Sequence, residues 1–332
     1  MNFTQLPWHT TWLAKARALT AEHHHAWLVV GRTGDGVAHA ASALAAALLC
    51  NQPQESVACG LCPSCRWLVG DVHPDFRKLV PDLGDGLTVK LPTIKVDDVR
   101  EALDFMHLTP AGKQGRVLLV DPADALQRVS ANALLKALEE PPPNTRWLLV
   151  TAQPERLLPT IRSRALKIAV PAPAPAEALT WLRSRGVSSS ETLLQQSRGE
   201  PLSALAASLS ESGSAREEFV RDLLRPGHLP TLKWGAWVEA GPKAERRERF
   251  AALLRALLDW TSDWARVRTQ LTPRVFVMEG AGLSALGAGL PLSEALRYHR
   301  SLLRKLNLPD TTLSARLQFE SLLLDYRALF SQ

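Results

Sequence analysis

The sequence predicts an α/β domain built on a doubly wound parallel sheet, followed by helices alone. Three observations predict it. Apolar runs at 26–30, 116–120, 147–150 and 165–170 alternate with helical segments up to residue 170. Buried parallel strands read as such continuous runs, because helices cover both faces of the sheet. Pro171-Ala172-Pro173-Ala174-Pro175 then ends the pattern, since proline continues neither a helix nor a central strand. Beyond it only helical periodicity recurs.

At 332 residues, 46% hydrophobic and 22% charged, the chain has the composition of a globular protein of two or three domains. No apolar run reaches the ~18 residues of a membrane span. Met1-Asn2-Phe3-Thr4-Gln5 lacks the basic start and apolar core of a secretory signal, so a cytoplasmic location without membrane contact is expected. The net charge of +6 suits a nucleic-acid neighbour. Charge alone leaves open a basic protein with no direct nucleic-acid role.

A helix is expected from Trp8 to about Leu19. His23-His24-His25 precedes the first strand; three adjacent histidines cannot share one helix face, so they read as a polar strand entry rather than a metal site. Strand 26–30 runs into Gly31-Arg32-Thr33-Gly34-Asp35-Gly36 and then an Ala/Leu helix to about Leu49. Strand, glycine turn and helix are the setting of a phosphate-binding loop, and Gly31 and Gly36 fit its frame, with Gly34 between. The next two positions should be Lys and Ser/Thr, for the phosphates and Mg²⁺. They are Val37 and Ala38. Either the loop amides hold a phosphate weakly, or the turn binds nothing.

Cys50-x8-Cys59-x2-Cys62-x2-Cys65 follows. Clustered cysteines in a chain without an export signal point to metal rather than disulfides. Four thiolates at this spacing fit a tetrahedral Zn²⁺ site, and four protein ligands leave no open position, so the zinc is expected to be structural. Four reduced thiols are the alternative.

A strand at 75–81, a loop at 82–91 and a helix at 95–108 come next. The helix carries Val96, Val99, Leu103 and Met106 on one face. After a turn at 109–115, strand 116–120 ends on Asp121, at the end of the sheet where open α/β folds bind ligands. A helix at 130–142, a strand at 147–151, the segment 157–164 and a strand at 165–170 complete the domain. Residues 171–209 read as a small helical unit with helices at 176–185, 188–197 and 201–209, and 210–214 as a second linker. In the remainder Phe250, Leu253, Leu254, Leu257, Leu258 and Trp264 form one helical stripe. Leu296, His299, Leu303 and Leu306 form another; Leu313, Leu317, Leu324 and Leu329 belong to the last helix. These are expected to be bundle core, with part of the surface able to pack on other subunits.

Three motifs together carry a resemblance over nearly the whole length: the cysteine module at 50–65, Ala131-Asn132-Ala133-Leu134-Leu135-Lys136 with Leu138-Glu139-Glu140-Pro141-Pro142, and Ile161-Arg162-Ser163-Arg164. The chain resembles the delta-prime family of clamp-loader subunits of bacterial DNA polymerase III, within the AAA+ class. The resemblance implies an AAA+ domain with its zinc module (1–170), a helical lid (171–209) and a C-terminal helical collar (210–332). It implies a role in DNA replication, in a hetero-oligomeric ring with motor subunits and the delta (wrench) subunit, and through the complex with the sliding clamp and primer-template DNA. In the family's Ser-Arg-Cys motif the arginine is a finger on a neighbour's ATP. That role falls here on Arg164, beside Ser163, with Ala165 in place of the cysteine. The competing reading is a local ion pair of Arg164, although Arg162 is also available for one.

The ATP-hydrolysing motor subunit is the alternative, and four departures argue against it. Val37 and Ala38 replace the catalytic Lys and Ser/Thr, Pro122 follows Asp121 where a general base is required, and Leu202 stands where the family's Gly-x-x-Arg has its arginine. Phosphoryl transfer depends almost entirely on such charges. No intrinsic ATPase and no ATP in its own site are therefore expected; the chain would be a non-catalytic subunit of a DNA-directed DNA polymerase holoenzyme. A zinc-dependent DNA-binding module is a third reading, disfavoured by diffuse charge and a short cysteine knuckle.

Overall fold

The computed structural model describes residues 6–20, 24–81, 93–209, 212–306 and 314–330. The expected loop at 82–91, His23, Ser210, Leu313 and the side chain of Leu306 lie outside them.

Among the described residues five strands form one sheet: β1 (Ala26–Val30), β2 (Phe76–Leu79), β3 (Arg116–Val120), β4 (Thr145–Thr151) and β5 (Leu166–Ala169). All pair in parallel, in the order β2-β3-β4-β1-β5. The register sets Leu28 beside Leu149, and Leu149 beside Val120. Alternation then sorts the apolar runs onto two faces. Trp27, Val29, Leu119, Leu148 and Val150 pack with α1 (Thr10–Thr20) and α2 (Val37–Leu49). Leu28, Leu118, Val120 and Leu149 pack with α4 (Val96–His107) and α5 (Arg128–Glu139). The cysteine module carries α3 (Pro63–Val69), and α6 (Pro159–Arg162) precedes β5. This is the doubly wound sheet that the alternating runs predict. The alanines of α2 let it lie close on the sheet, and Ala40, Ala41, Ala45 and Ala46 are buried there.

Asp75 fastens the edge of the sheet. Its buried carboxylate accepts the N–H groups of Ala111 and Gly112 at 2.8 and 2.7 Å. It also faces the Arg116 guanidinium at 3.6 Å. Arg116 donates to the carbonyls of Leu108, Thr109 and Pro74, so this buried pair is fully hydrogen-bonded, the condition under which buried charges are tolerated.

One helix end is shorter than the sequence reading. Helix α5 stops at Glu139, because the residue before Pro141 leaves the helical region; Glu140 has φ −123° and ψ 75°.

The described residues divide into two compact units, the second beginning at Leu179, within α7 (Pro175–Ser184). The rest of the second unit is helical: α8 (Ser190–Gln196), α9 (Pro201–Leu209), α10 (Ser212–Leu223), α11 (Thr231–Glu239), α12 (Lys243–Arg268), α13 (Gly280–Gly287), α14 (Leu292–Leu306) and α15 (Ala315–Ala328). Helix α10 starts at Ser212, so the linker expected at 210–214 is partly helix. The core surrounds α12, where Leu253, Leu254, Leu257, Leu258 and Trp264 are buried as expected and Phe250 is half-buried. Asp263 accepts the N–H groups of Arg274, Val275 and Phe276, holding that loop on α12.

The expected stripes on the last two helices are corrected. Leu296, Leu303, Leu317 and Leu324 are exposed by 38, 41, 56 and 53%. The buried residues are Ala295, Tyr298 and Leu302 on α14 and Phe319, Leu322, Leu323 and Tyr326 on α15. Both helices carry more apolar residues than one face accommodates. Aromatic rings bury the larger area and have polar tips that find partners: Tyr326 Oη accepts from Trp260 Nε1 and donates to the Leu223 carbonyl, and Tyr298 Oη donates to that of Leu322. No helix among the described residues is long and apolar enough to cross a membrane.

Candidate functional site

The glycine loop joins the carboxyl end of β1 to α2. Its backbone amides turn inward: the N–H groups of Asp35 and Val37 meet the Arg32 carbonyl at 3.2 and 3.5 Å, and that of Gly36 meets Thr33 at 3.0 Å. Gly36 takes the left-handed conformation, φ 88°, that leads into α2. A Cβ on Gly31 would stand 3.0 Å from the Val170 Cβ and 3.2 Å from the Val37 Cβ, so this glycine serves close packing of the loop on buried apolar side chains. Arg32 pairs with Asp35 at 3.1 Å, and Trp8 Nε1 donates to the Asp35 carbonyl at 2.8 Å. The N-terminal segment is thereby tied to the loop, which the sequence had not indicated.

At the end of β3, Lys78 Nζ meets Asp121 Oδ2 at 2.9 Å, both side chains largely buried. The pairing of Lys78 with Leu119 puts Lys78 and Asp121 on one face of the sheet. His39, on α2, lies within electrostatic reach of both; burial lowers its pKa most, Asp121 opposes this and Lys78 adds to it. The sequence showed a lysine within a short strand; only the register with β3 puts it in phase with Asp121.

His9 is fully buried beside the loop. Burial pushes its pKa from 6.5 to about 4, against a raising effect of the Asp35 main chain and with a lowering one from His39. The folded value lies below the unfolded one, so the unfolded chain binds the extra proton between them. His9 therefore favours the folded state in full above pH 6.5, and that advantage falls as pH drops towards 4, by up to about 3 kcal/mol. Urea unfolding followed between pH 7 and 4.5 should show His9→Phe losing less stability than wild type by this margin; parallel curves would remove His9 as the source.

The four cysteines come together. Cys50, Cys62 and Cys65 are buried, Cys59 is half-buried, and all four Sγ atoms lie within 4.8 Å of one another. Cys50 and Cys62 are 3.8 Å apart, and Cys59 and Cys65 3.9 Å, far beyond the ~2.05 Å of a disulfide. The Cys59 N–H points at Cys50 Sγ, and that of Cys62 at Cys59 Sγ. Backbone N–H groups, that of Leu61 foremost, lower the Cys59 thiol. Convergent sulfurs with amides aimed at them can hold a metal ion.

Ser163 and Arg164 lie in the turn between α6 and β5. Arg164 Nη2 meets Glu139 Oε1 at 2.6 Å, and Nη1 donates to the Thr160 carbonyl at 2.9 Å and reaches Ser163 Oγ at 3.3 Å. Ser163 donates to the Thr160 carbonyl. The local ion pair is thus present in this chain, with Glu139 as a partner the sequence reading had not named. The guanidinium remains about one-third exposed.

The family model described as "DNA polymerase III, delta subunit" matches residues 11–174. The Pseudomonas aeruginosa protein named DNA polymerase III subunit delta' is 36% identical over 273 residues, 80% of this chain and 77% of that protein. Its Yersinia pestis namesake is 31% identical over 306 residues, 87% of this chain and 88% of that one. The Escherichia coli DNA polymerase III subunit tau is 37% identical over 144 residues, 43% of this chain and 21% of its own length. The similarity to tau is thus confined to part of the chain, whereas that to the delta' proteins spans most of both partners, and the chain belongs to the delta' subunit family of DNA polymerase III.

Proposed function

We propose that this clamp-loader subunit neither holds nor hydrolyses ATP in its own site and instead lends Arg164 to the ATP bound by a neighbouring motor subunit. The observation that carries the first half is the closed loop. The amides that a phosphate would use face the Arg32 and Thr33 carbonyls, and the Lys78 ammonium stands at Asp121, where a motor subunit would bring Mg²⁺. Asp121 is thereby neutralised without a nucleotide. For the second half, Arg164 sits in an exposed turn, and its planar, permanently charged guanidinium suits a transferring phosphoryl group. In a ring of head-to-tail contacts, a finger on one subunit faces the nucleotide of the next.

The lid and collar remain the parts assigned to 171–209 and 210–332. The exposed Leu296, Leu303, Leu317 and Leu324 support a collar packed on motor and delta subunits. The sliding clamp and primed DNA would be reached through the complex. For the cysteine site we propose zinc. A Zn–S bond of ~2.3 Å gives a tetrahedral edge of about 3.8 Å, against the observed 3.8 and 3.9 Å. With all four positions filled by thiolates, such a zinc is structural.

Titration of the isolated chain with Mg·ATP tests the first half. No saturable binding is expected up to ~1 mM, the upper end of ordinary substrate affinities. Tight, Mg²⁺-dependent binding would favour the motor-subunit reading instead.

A further inference from the structure

The polar chain beside the cysteines runs in one direction. The Asp75 N–H donates to His73 Nδ1 at 3.0 Å. With Nδ1 accepting, a neutral imidazole carries its proton on Nε2, which donates to Ser64 Oγ at 2.8 Å. The Ser64 hydroxyl then donates to the Leu49 carbonyl at 2.7 Å. Each group gives one hydrogen bond and receives one, and Ser64 is only 3% exposed.

The positions joined are informative. Leu49 is the last residue of α2, directly before Cys50. Ser64 lies in the first turn of α3, between Cys62 and Cys65. Asp75 leads into β2 and is itself held by Ala111, Gly112 and Arg116. One chain of hydrogen bonds therefore ties the segment bearing Cys50 to the segment bearing Cys62 and Cys65, and fixes both to the edge of the sheet. The half-buried His73 ring also stands edge-on to Trp67 of α3, at 5.8 Å between ring centroids.

We infer that His73, acting through Ser64, is a positioning residue of the four-cysteine metal site. It would close the span between Cys50 and Cys62 and hold the sulfurs at coordinating distance before the ion arrives. Groups that orient ligands in this way typically contribute 10–100-fold in metal affinity. The inference rests on the zinc reading, and zinc content of the purified wild-type chain tests that reading separately: a chain with no zinc would sink both.

Two substitutions separate the halves of the imidazole. Asn places an acceptor near Nδ1 and has nothing at Nε2; Gln places a donor near Nε2. The measurement is the rate at which zinc passes from the full chain to a chromophoric chelator, together with the visible spectrum of the Co²⁺-substituted protein. His73→Asn and Ser64→Ala should release zinc at least ~10-fold faster and weaken the tetrahedral Co²⁺ band, while His73→Gln stays near wild type in both. Circular dichroism confirms that the variants are folded. Release at the wild-type rate from His73→Asn and Ser64→Ala overturns the inference, as does His73→Gln behaving like His73→Asn.

Discussion

Arg164→Ala is expected to slow ATP turnover at the neighbouring site by about 10³-fold in the reconstituted complex, with the complex still assembled. The expectation follows from what the guanidinium does now. Arg164 is held by Glu139 and the Thr160 carbonyl in a turn that exposes it by about one-third. A pair this exposed contributes little stability, roughly 0–1 kcal/mol. Removing Arg164 should therefore leave the melting temperature of the chain nearly unchanged. A finger acting in trans has a different signature, since charge developing on a transferring phosphoryl group in a closed interface is stabilised far more strongly than a surface pair. Clamp- and DNA-stimulated hydrolysis is the measurement, with the assembled complex verified by gel filtration. Single-turnover kinetics should resolve the slowed site from any others in the complex that do not use Arg164. Undiminished turnover at every site would leave Arg164 with the Glu139 ion pair alone. Arg164→Lys should not rescue, because an ammonium cannot reproduce the planar fork.

Cys65→Ser is the second large effect. Structural zinc supplies ~10–16 kcal/mol to zinc-finger peptides that have no other core. Here the module is also held by the hydrogen-bond chain through Ser64 and His73, so the loss should be smaller, about 4 kcal/mol. For a unit of this size that corresponds to a fall of roughly 10 °C in melting temperature. Metal content should drop from ~1 zinc per chain to well below it. Treating the wild-type chain with a strong chelator should reproduce the shift, and returning Zn²⁺ should reverse it for wild type but not for Cys65→Ser. A variant that keeps both its metal and its melting temperature would exclude a four-sulfur structural site.

Much of this architecture was legible in the chain because its signals are local. The runs at Ala26–Val30 and Arg116–Val120 became strands with those bounds, since a strand covered on both faces has no polar position to confuse the pattern. The cysteine spacing marked four sulfurs that converge and could hold a metal ion, and Val37 and Ala38 marked a loop without its catalytic pair. Legibility failed where a choice depended on neighbours distant in sequence. On α14 and α15 the leucine stripe and the aromatic stripe are both helical in period, and only packing against Trp260 and Leu223 decided that Tyr298 and Tyr326 go inside and Leu296 and Leu324 stay out.

The site divides in the same way. Spacing was enough to single out Cys50, Cys59, Cys62 and Cys65, and position at a strand end Asp121, whereas Arg164 was singled out only through the family resemblance of its motif. Their partners came only with the tertiary fold: Lys78 on Asp121, Glu139 on Arg164, Trp8 on the Asp35 carbonyl, and His73 through Ser64 on Leu49. A motif records which groups the chemistry needs within a few residues. Which distant charge or hydrogen bond completes a buried group depends on strand order and register, and those form only when the sheet assembles.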